Sequence, residues 1–553
     1  MRVTDSLDTQ LVFRGSPLRC GKRTLLAIDR VLLLREPVPP RGTTTLQWPR
    51  VVAAVGRRRL GVAVCLLVAL AAFLVRLAMV LRGGGLGGLM GYDDGVYYSA
   101  SGELWWGRLP YRDFVLVHPP GILLSLAPFA GLGRLTHDAL GFQLARLAWM
   151  LVGSLNAALV VRATRRSGLV AATAAGLFYA VWTPAAMTET TTRLEPLVSL
   201  GLLVAVTVLS GGRPPTRRGQ VLAGIALGFA MAVKVWAVVP AVVIVLWVSV
   251  TRCRQAAVRV AAAAALTATV VCLPFWLLAP SAMFRMVVLD QLGRGRTWAG
   301  TSVRLISALG LRSPHGHYWW PLVSWCVAAA VVGAVVVVGS VGSSRGRLAV
   351  ALLVVQLGVL LASPSYFSYY AAFLAPALAL MVAGGMAWTR RLHARRKERR
   401  PADAVGTLLL AGAPAVIAAV GTVAATASVG TPFPAQDVAR TVSASRCVTA
   451  DSPDVLILTD VLQRNRHRGC RVLVDLSGLS YDGDAKPLRP DGTPVARALN
   501  PAWQRDLTGY LFSGDAVFLT RTASDGFSPE SLQRLDALPV LRRGGGFVLL
   551  TVR

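Results

Sequence analysis

The chain has 553 residues, of which 54% are hydrophobic and only 15% charged, and its mean hydropathy is positive. Apolar residues arriving in blocks of about 15 to 25 exclude a soluble globular enzyme and a disordered chain; they define a polytopic membrane protein. A formal net charge of +31 would suit nucleic acid, but the basic residues fall in short clusters between the apolar blocks, the pattern of cytoplasmic loops, so no nucleic acid is expected.

Residues 1–59 form a polar tail with twelve Lys/Arg against four Asp/Glu. Residues 60–81 are long enough to span, and no small-residue cleavage site follows them. They read as an anchor behind a cytoplasmic tail. Further apolar blocks lie at 140–161, 169–187, 197–209, 221–235, 236–250, 261–278, 319–338, 348–361, 371–388 and 407–429. Together they predict about eleven transmembrane helices, with a membrane core over 60–429. Basic clusters at 162–166, 213–218, 252–259, 345–347 and 390–400 belong in the cytoplasm, so an even number of crossings must separate successive clusters.

One more apolar block, 122–135, breaks this parity if it crosses, since Arg162, Arg165 and Arg166 would then face outward. It is also short for a spanning helix, so it is expected as an interfacial or re-entrant helix on the outer side. The alternative is a short tilted crossing. On the first reading 82–139 is a long first outer loop. After the last span, residues 430–553 alternate short β-like runs (455–458, 472–476, 516–519, 547–552) with helical stretches, which predicts a small α/β domain. Ser528 before Pro529 and Glu530 is a helix start. Parity makes this domain extracytoplasmic. Only Cys447 and Cys470 of the seven cysteines lie in it, and an isolated pair in an oxidising compartment predicts one disulfide.

Charge is expensive in such a chain, so the unusual charges mark its chemistry. The sequence has 27 acidic residues, and the first outer loop holds Asp93, Asp94, Glu103 and Asp113 close together, followed by His118-Pro119-Pro120-Gly121. An adjacent acid pair at a membrane surface can supply a general base, a metal ligand set or a solvated turn. Glu189 and Glu195 flank the next outer junction, and Lys234 stands where two short apolar blocks meet. Arg285, Asp290, Arg294 and Arg296 follow block 261–278 on the outer side, against the positive-inside tendency. An outward basic cluster suits a phosphate, whose oxygens match guanidinium in bidentate geometry. Arg76, inside the first span, would instead suit a transporter or lipid flippase, which is the alternative function; no internal repeat accompanies it. The run Gly83 to Gly88 does not join a strand to a helix and is not a nucleotide loop. His315 and His317 have metal-ligating side chains but read as a solvated loop pair.

The order and sidedness of these residues resemble the glycosyltransferase C superfamily: an acidic pair after the first span, His-Pro-Pro before an interfacial helix, an acid at the next outer junction and a basic residue at the one after. The nearest likeness is to its protein mannosyltransferase and aminoarabinose transferase branch, and within that to actinobacterial membrane proteins of similar layout. It covers residues 60–388. Asp94 and Glu195 depart from the pattern, standing where many relatives have glutamate and aspartate respectively.

The resemblance implies an integral plasma-membrane glycosyltransferase that moves a hexose or pentose from a polyprenyl-phosphate donor to a cell-envelope glycan, lipid or protein on the outer face. Inversion of configuration is implied as well. Asp93 would be the catalytic base, with Lys234 and Arg285 on the phosphate and Asp94, His118, Glu189 and Glu195 binding sugar or acceptor. No organic cofactor is implied, and a divalent ion at Asp93 and Asp94 is compatible with the chemistry.

Overall fold

The computed structural model describes residues 48–211, 214–294, 300–308, 333, 336–395, 427–481, 495–521 and 526–552. Among them, five helices are long and apolar enough to cross a bilayer: Arg59–Arg82, Asp138–Ser167, Arg254–Leu278, Ser344–Ala362 and Ser368–Thr389. At about 1.5 Å per residue, the 24 residues of the first extend past the roughly 30 Å hydrocarbon layer. Shorter apolar helices are Gly121–Leu135, Leu169–Val181, Glu195–Leu209 and Val235–Thr251. The expected blocks at 319–338 and 407–429 fall largely outside the described residues, as do His315, His317 and the tail up to residue 47.

In chain order the helices of the core are α1 (Trp48–Arg82), α2 (Tyr92–Leu104), α3 (Gly121–Leu135), α4 (Asp138–Thr164), α5 (Leu169–Val181), α6 (Thr183–Thr188), α7 (Glu195–Leu209), α8 (Arg217–Val233), α9 (Val238–Thr251), α10 (Arg254–Leu278), α11 (Ser344–Ala362) and α12 (Ala375–Arg395). On α1 the exposed side chains are Leu66, Leu67, Leu70 and Leu74, whereas Val68, Ala72, Arg76 and Met79 are buried. A helix that turns its leucines outward and its mid-span charge, Arg76, inward is built for lipid as solvent. The block expected as one helix over 169–187 is two, because Trp182 is extended and Pro184 starts a new helix in the first turn of α6.

α3 does not need to cross. Its first residue is so close to α8 that a Cβ on Gly121 would lie 2.6 Å from the Ala232 carbonyl oxygen. Just past its other end, Ala139 N donates to Asp460 Oδ1 at 2.9 Å and Gln463 Nε2 donates to Asp138 Oδ1 at 3.1 Å. One end therefore packs on the close of α8 and the other on the unit formed by residues 435–552. A cysteine at exposed Thr136 and one at exposed Ser443 should react with an impermeant thiol reagent from the same side of the membrane; labelling from opposite sides would make α3 a crossing helix.

The C-terminal unit contains a four-stranded sheet in the order β1-β2-β4-β3, formed by β1 (Val448–Ala450), β2 (Ala516–Leu519), β3 (Val540–Gly544) and β4 (Phe547–Thr551). β1 and β2 are parallel and the other two pairings antiparallel. Helices Pro453–Leu458, Val461–His467 and Pro501–Leu511 lie in the connection that the parallel pair requires. Two expected strands are corrected. Residues 455–458 are helical: Pro453 starts the helix, and a short, wholly buried apolar run has no period to tell helix from strand. Residues 472–476 alternate buried and half-buried as a strand would, but they pair with no neighbour in the sheet. Ser528 caps its helix, its hydroxyl accepting from Ser531 N at 3.2 Å, and Cys447 is disulfide-bonded to Cys470.

The unit is fastened to the start of the core. Leu89 and Thr431 form an antiparallel bridge, and Val429 N donates to Met79 O at 3.0 Å. The glycine run after α1 exists for this crossing, since a Cβ on Gly84 would collide with the Thr431 carbonyl.

Candidate active site

α2 opens with Tyr92, Asp93 and Asp94, two acids in a first turn where the exposed N–H groups and helix dipole favour negative charge. Adjacent helical residues point about 100° apart, so the two carboxylates diverge and do different things. Asp94 is fully buried. Its Oδ2 accepts from Arg146 Nε and Nη2 at 2.9 and 2.6 Å, and its Oδ1 accepts from Thr192 N at 2.7 Å and from the Thr192 hydroxyl. Arg146 also donates to the carbonyls of Leu86 and Gly88 at 2.6 and 2.9 Å. This is an internal brace joining the first loop, α4 and the segment before α7.

Asp93 faces a partly open space, its side chain 31% exposed. Its Oδ2 accepts from Arg193 Nη1 at 2.6 Å and from the Tyr369 hydroxyl at 2.7 Å. The Arg193 guanidinium lies 3.7 Å from the centre of the Tyr369 ring. Among the described residues Oδ1 receives no hydrogen bond. Burial pushes the Asp93 carboxyl up, but the Arg193 charge and the Tyr369 and Arg193 hydrogen bonds outweigh it and hold the group below its ordinary value. The result is an ionised carboxylate with one oxygen committed and one available.

A second cluster sits beside it. Lys234 stands in extended backbone at the break after α8, with Nζ 2.5 Å from Glu195 Oε1 and 4.3 Å from the ring centres of both Trp236 and Tyr370. Both members of the pair are buried, and Glu195 Oε2 has no partner among the described residues. Arg294 Nη1 lies 3.5 Å from the Tyr370 hydroxyl. His118 is buried, its ring edge-on to Tyr97 with centroids 5.8 Å apart. Burial first, then the charges of Arg294 and Lys234, hold its imidazole well below the ordinary value, so it is neutral.

The two clusters are joined by consecutive tyrosines on a 3₁₀ turn, Ser368–Leu374: Tyr369 bonds Asp93 and Tyr370 packs on Lys234. The sequence expectations did not include Arg193, Tyr369 or Tyr370. The signal was there, since a chain only 7% aromatic places Tyr366, Phe367, Tyr369 and Tyr370 together just before its penultimate apolar block.

Three expected residues stand elsewhere. Glu189 is inside the bundle, where Oε2 accepts from Arg76 Nε at 2.8 Å and Oε1 accepts from Tyr179 and Asn156 at 2.7 and 3.2 Å. Asp94 is taken up by Arg146 and Thr192, as above. Arg285 lies in a π-helical turn, Arg285–Leu289, and the arginine whose charge acts on His118, Lys234 and Tyr370 is Arg294. One further turn of irregular helix separates the two, which sequence spacing could not resolve. Among the described residues no three potential metal ligands group together.

Two solved structures share the fold. ArnT from Cupriavidus metallidurans bound to undecaprenyl phosphate is 16% identical, with a TM-score of 0.54 over 90% of this chain and 98% of that one. The archaeal oligosaccharyltransferase AglB from Archaeoglobus fulgidus, in complex with an inhibitory peptide and a dolichol-phosphate, is 12% identical, with a TM-score of 0.51 over 84% of this chain and 70% of that one. No curated protein matches the sequence. The chain shares the fold of these two proteins. Within it, residues 116–364, from the segment leading into α3 to just past α11, match glycosyltransferase family 87.

Proposed function

We propose that the protein transfers a sugar from a polyprenyl-phosphate donor to an acceptor hydroxyl, with inversion, on the membrane face that carries the C-terminal unit. The observation that carries this reading is the juxtaposition of an ionised, half-satisfied carboxylate, Asp93, with the cations Lys234 and Arg294 across Tyr369 and Tyr370. A base at one end and phosphate partners at the other are what this reaction needs.

In the proposed step the acceptor oxygen attacks the anomeric carbon while its proton passes to Asp93 Oδ1. The bond from that carbon to the phosphate oxygen breaks, and polyprenyl phosphate leaves as an anion that needs no acid. Lys234 and Arg294 stabilise the charge gathering on the phosphate. Arg193 and Tyr369 fix the base, and the unpartnered Oε2 of Glu195 accepts a hydrogen bond from a sugar hydroxyl. Neutral His118 orients sugar or acceptor without adding charge. Asp94 and Glu189 act as positioning residues rather than as ligands of the substrate. The donor's lipid tail lies in the apolar surface of the spans. The two complexed relatives, one with undecaprenyl phosphate and one with a dolichol-phosphate, support such a donor here.

A transporter would call for an ionisable group at mid-membrane with work to do. Arg76, the candidate for that, is neutralised by Glu189. The test is the purified protein in lipid nanodiscs with polyprenyl-phosphate mannose, arabinose and related donors and an envelope-extract acceptor. Sugar should appear in acceptor with release of polyprenyl phosphate. Movement of a solute or lipid across vesicles with no transfer from any such donor would replace this reading.

A further inference from the structure

The C-terminal unit is more than a neighbour of Asp93. The residue before it, Tyr92, is held on three sides by that unit. Its hydroxyl donates to Asp475 Oδ1 at 2.6 Å and accepts from Ser477 N at 2.9 Å. The Arg521 guanidinium lies 3.4 Å from the centre of its ring. These partners are themselves built in. Asp475 Oδ1 accepts a second bond, from Gly478 N at 2.8 Å. Asp451, which follows β1, accepts from Thr520 N at 2.9 and 2.8 Å and from Arg521 N at 2.6 Å, so the carboxyl edge of the parallel strands carries Arg521 to the tyrosine.

The rest of α2 is fastened to the same unit. A Cβ on Gly95 would lie 2.6 Å from Asp454 N, so the helix and the loop after β1 touch backbone to backbone. Near its end, Glu103 pairs with Arg466. α2 thus lies between α3 of the core and the C-terminal unit, and the side chain of Asp93 reaches to Arg193 and Tyr369 of the membrane core.

We propose that Tyr92, Asp475 and Arg521 form a clamp by which the C-terminal unit sets the position of the base on α2, so that Tyr92 is a positioning residue for sugar transfer. The proposal rests on Asp93 being the base. A carboxylate displaced by about 1 Å from the attacking hydroxyl can cost on the order of a hundred-fold in rate, whereas the donor, bound by Lys234 and Arg294 in the core, should scarcely register the change.

Tyr92→Phe and Asp475→Ala remove the hydroxyl and its acceptor but leave the ring, the Arg521 contact and the Asp454 backbone contact in place, so the full-length variants should extract and elute as the parent does. Each should lower kcat about ten- to a hundred-fold with the donor KM within about two-fold, and the double variant should be no worse than either single one. Hydrogen exchange should quicken at the amides of residues 95–97, which bond to the first turn of α2, and Arg521→Lys should keep more activity than Arg521→Gln. Unchanged kcat, unchanged exchange at those amides, a loss confined to KM, or fully additive variants would each overturn the clamp. Exchange is read without any donor. If it quickens while Asp93→Asn still transfers sugar at the parental rate, the clamp stands as structure and the assignment of the base fails.

Discussion

Asp93→Asn is expected to lower sugar transfer about a hundred- to ten-thousand-fold, the usual contribution of a general base, while leaving the amount of protein in the membrane unchanged. The amide has the shape of the carboxylate and keeps one oxygen to accept from Tyr369 or Arg193. It loses the only property the reaction needs, the ability to take up a proton. Asp93 is partly exposed, and its ion pair with Arg193 joins side chains that are 31% and 12% exposed. The stability lost with such a pair is modest, because Arg193 keeps its contact with the Tyr369 ring. Steady-state transfer with purified variant checks this, and a rate near the parent's would mean that another group takes the proton.

The neighbouring acid should fail in the opposite manner. Asp94→Ala strands the Arg146 guanidinium in the interior with only the Leu86 and Gly88 carbonyls to satisfy it. Removing one partner of a buried ion pair costs about 3–5 kcal/mol. It also frees the N–H of Thr192 and with it the segment that carries Arg193. Thermal inactivation of the detergent-solubilised variant should therefore move sharply downward and the yield of folded protein fall. Asp94→Asn, which keeps an acceptor for Arg146, should be milder in stability. If Asp94→Ala proved as stable as the parent yet inactive, Asp94 would have to touch substrate after all. Two adjacent aspartates are thus told apart by what fails first, turnover or the fold.

Much of this was legible in the sequence. Apolar block length pointed to the helices because in lipid every backbone group must be satisfied within its own segment, and block 122–135 is the short helix Gly121–Leu135. Glu195 and Lys234 were both marked by charge in an apolar setting, and the structure pairs them with each other. What remained hidden had physical causes. Glu189 resembled Glu195 in its setting, yet Arg76, 113 residues away, claims it, and no spacing rule reveals a partner at that range. Arg285 and Arg294 are separated by a π-turn that ordinary helical geometry would not include. Runs 455–458 and 472–476 carried strand chemistry, but one was captured by a proline-started helix and the other by contact with Tyr92 and Trp503.

The contacts that fix Asp93 and Tyr92 span most of the polypeptide. Asp93 is bonded to residues 100 and 276 positions further on, and the tyrosine before it to one 383 positions further on. During synthesis the loop after α1 is therefore made long before these partners exist. Asp93 and Asp94 must wait for their partners while the intervening spans are inserted one after another. The centre is consequently among the last parts of the molecule to be assembled, and a chain that stops short of residue 475 can place its helices in the membrane without ever fixing Tyr92. Ordering of Asp93 is in this way tied to completion of the polypeptide.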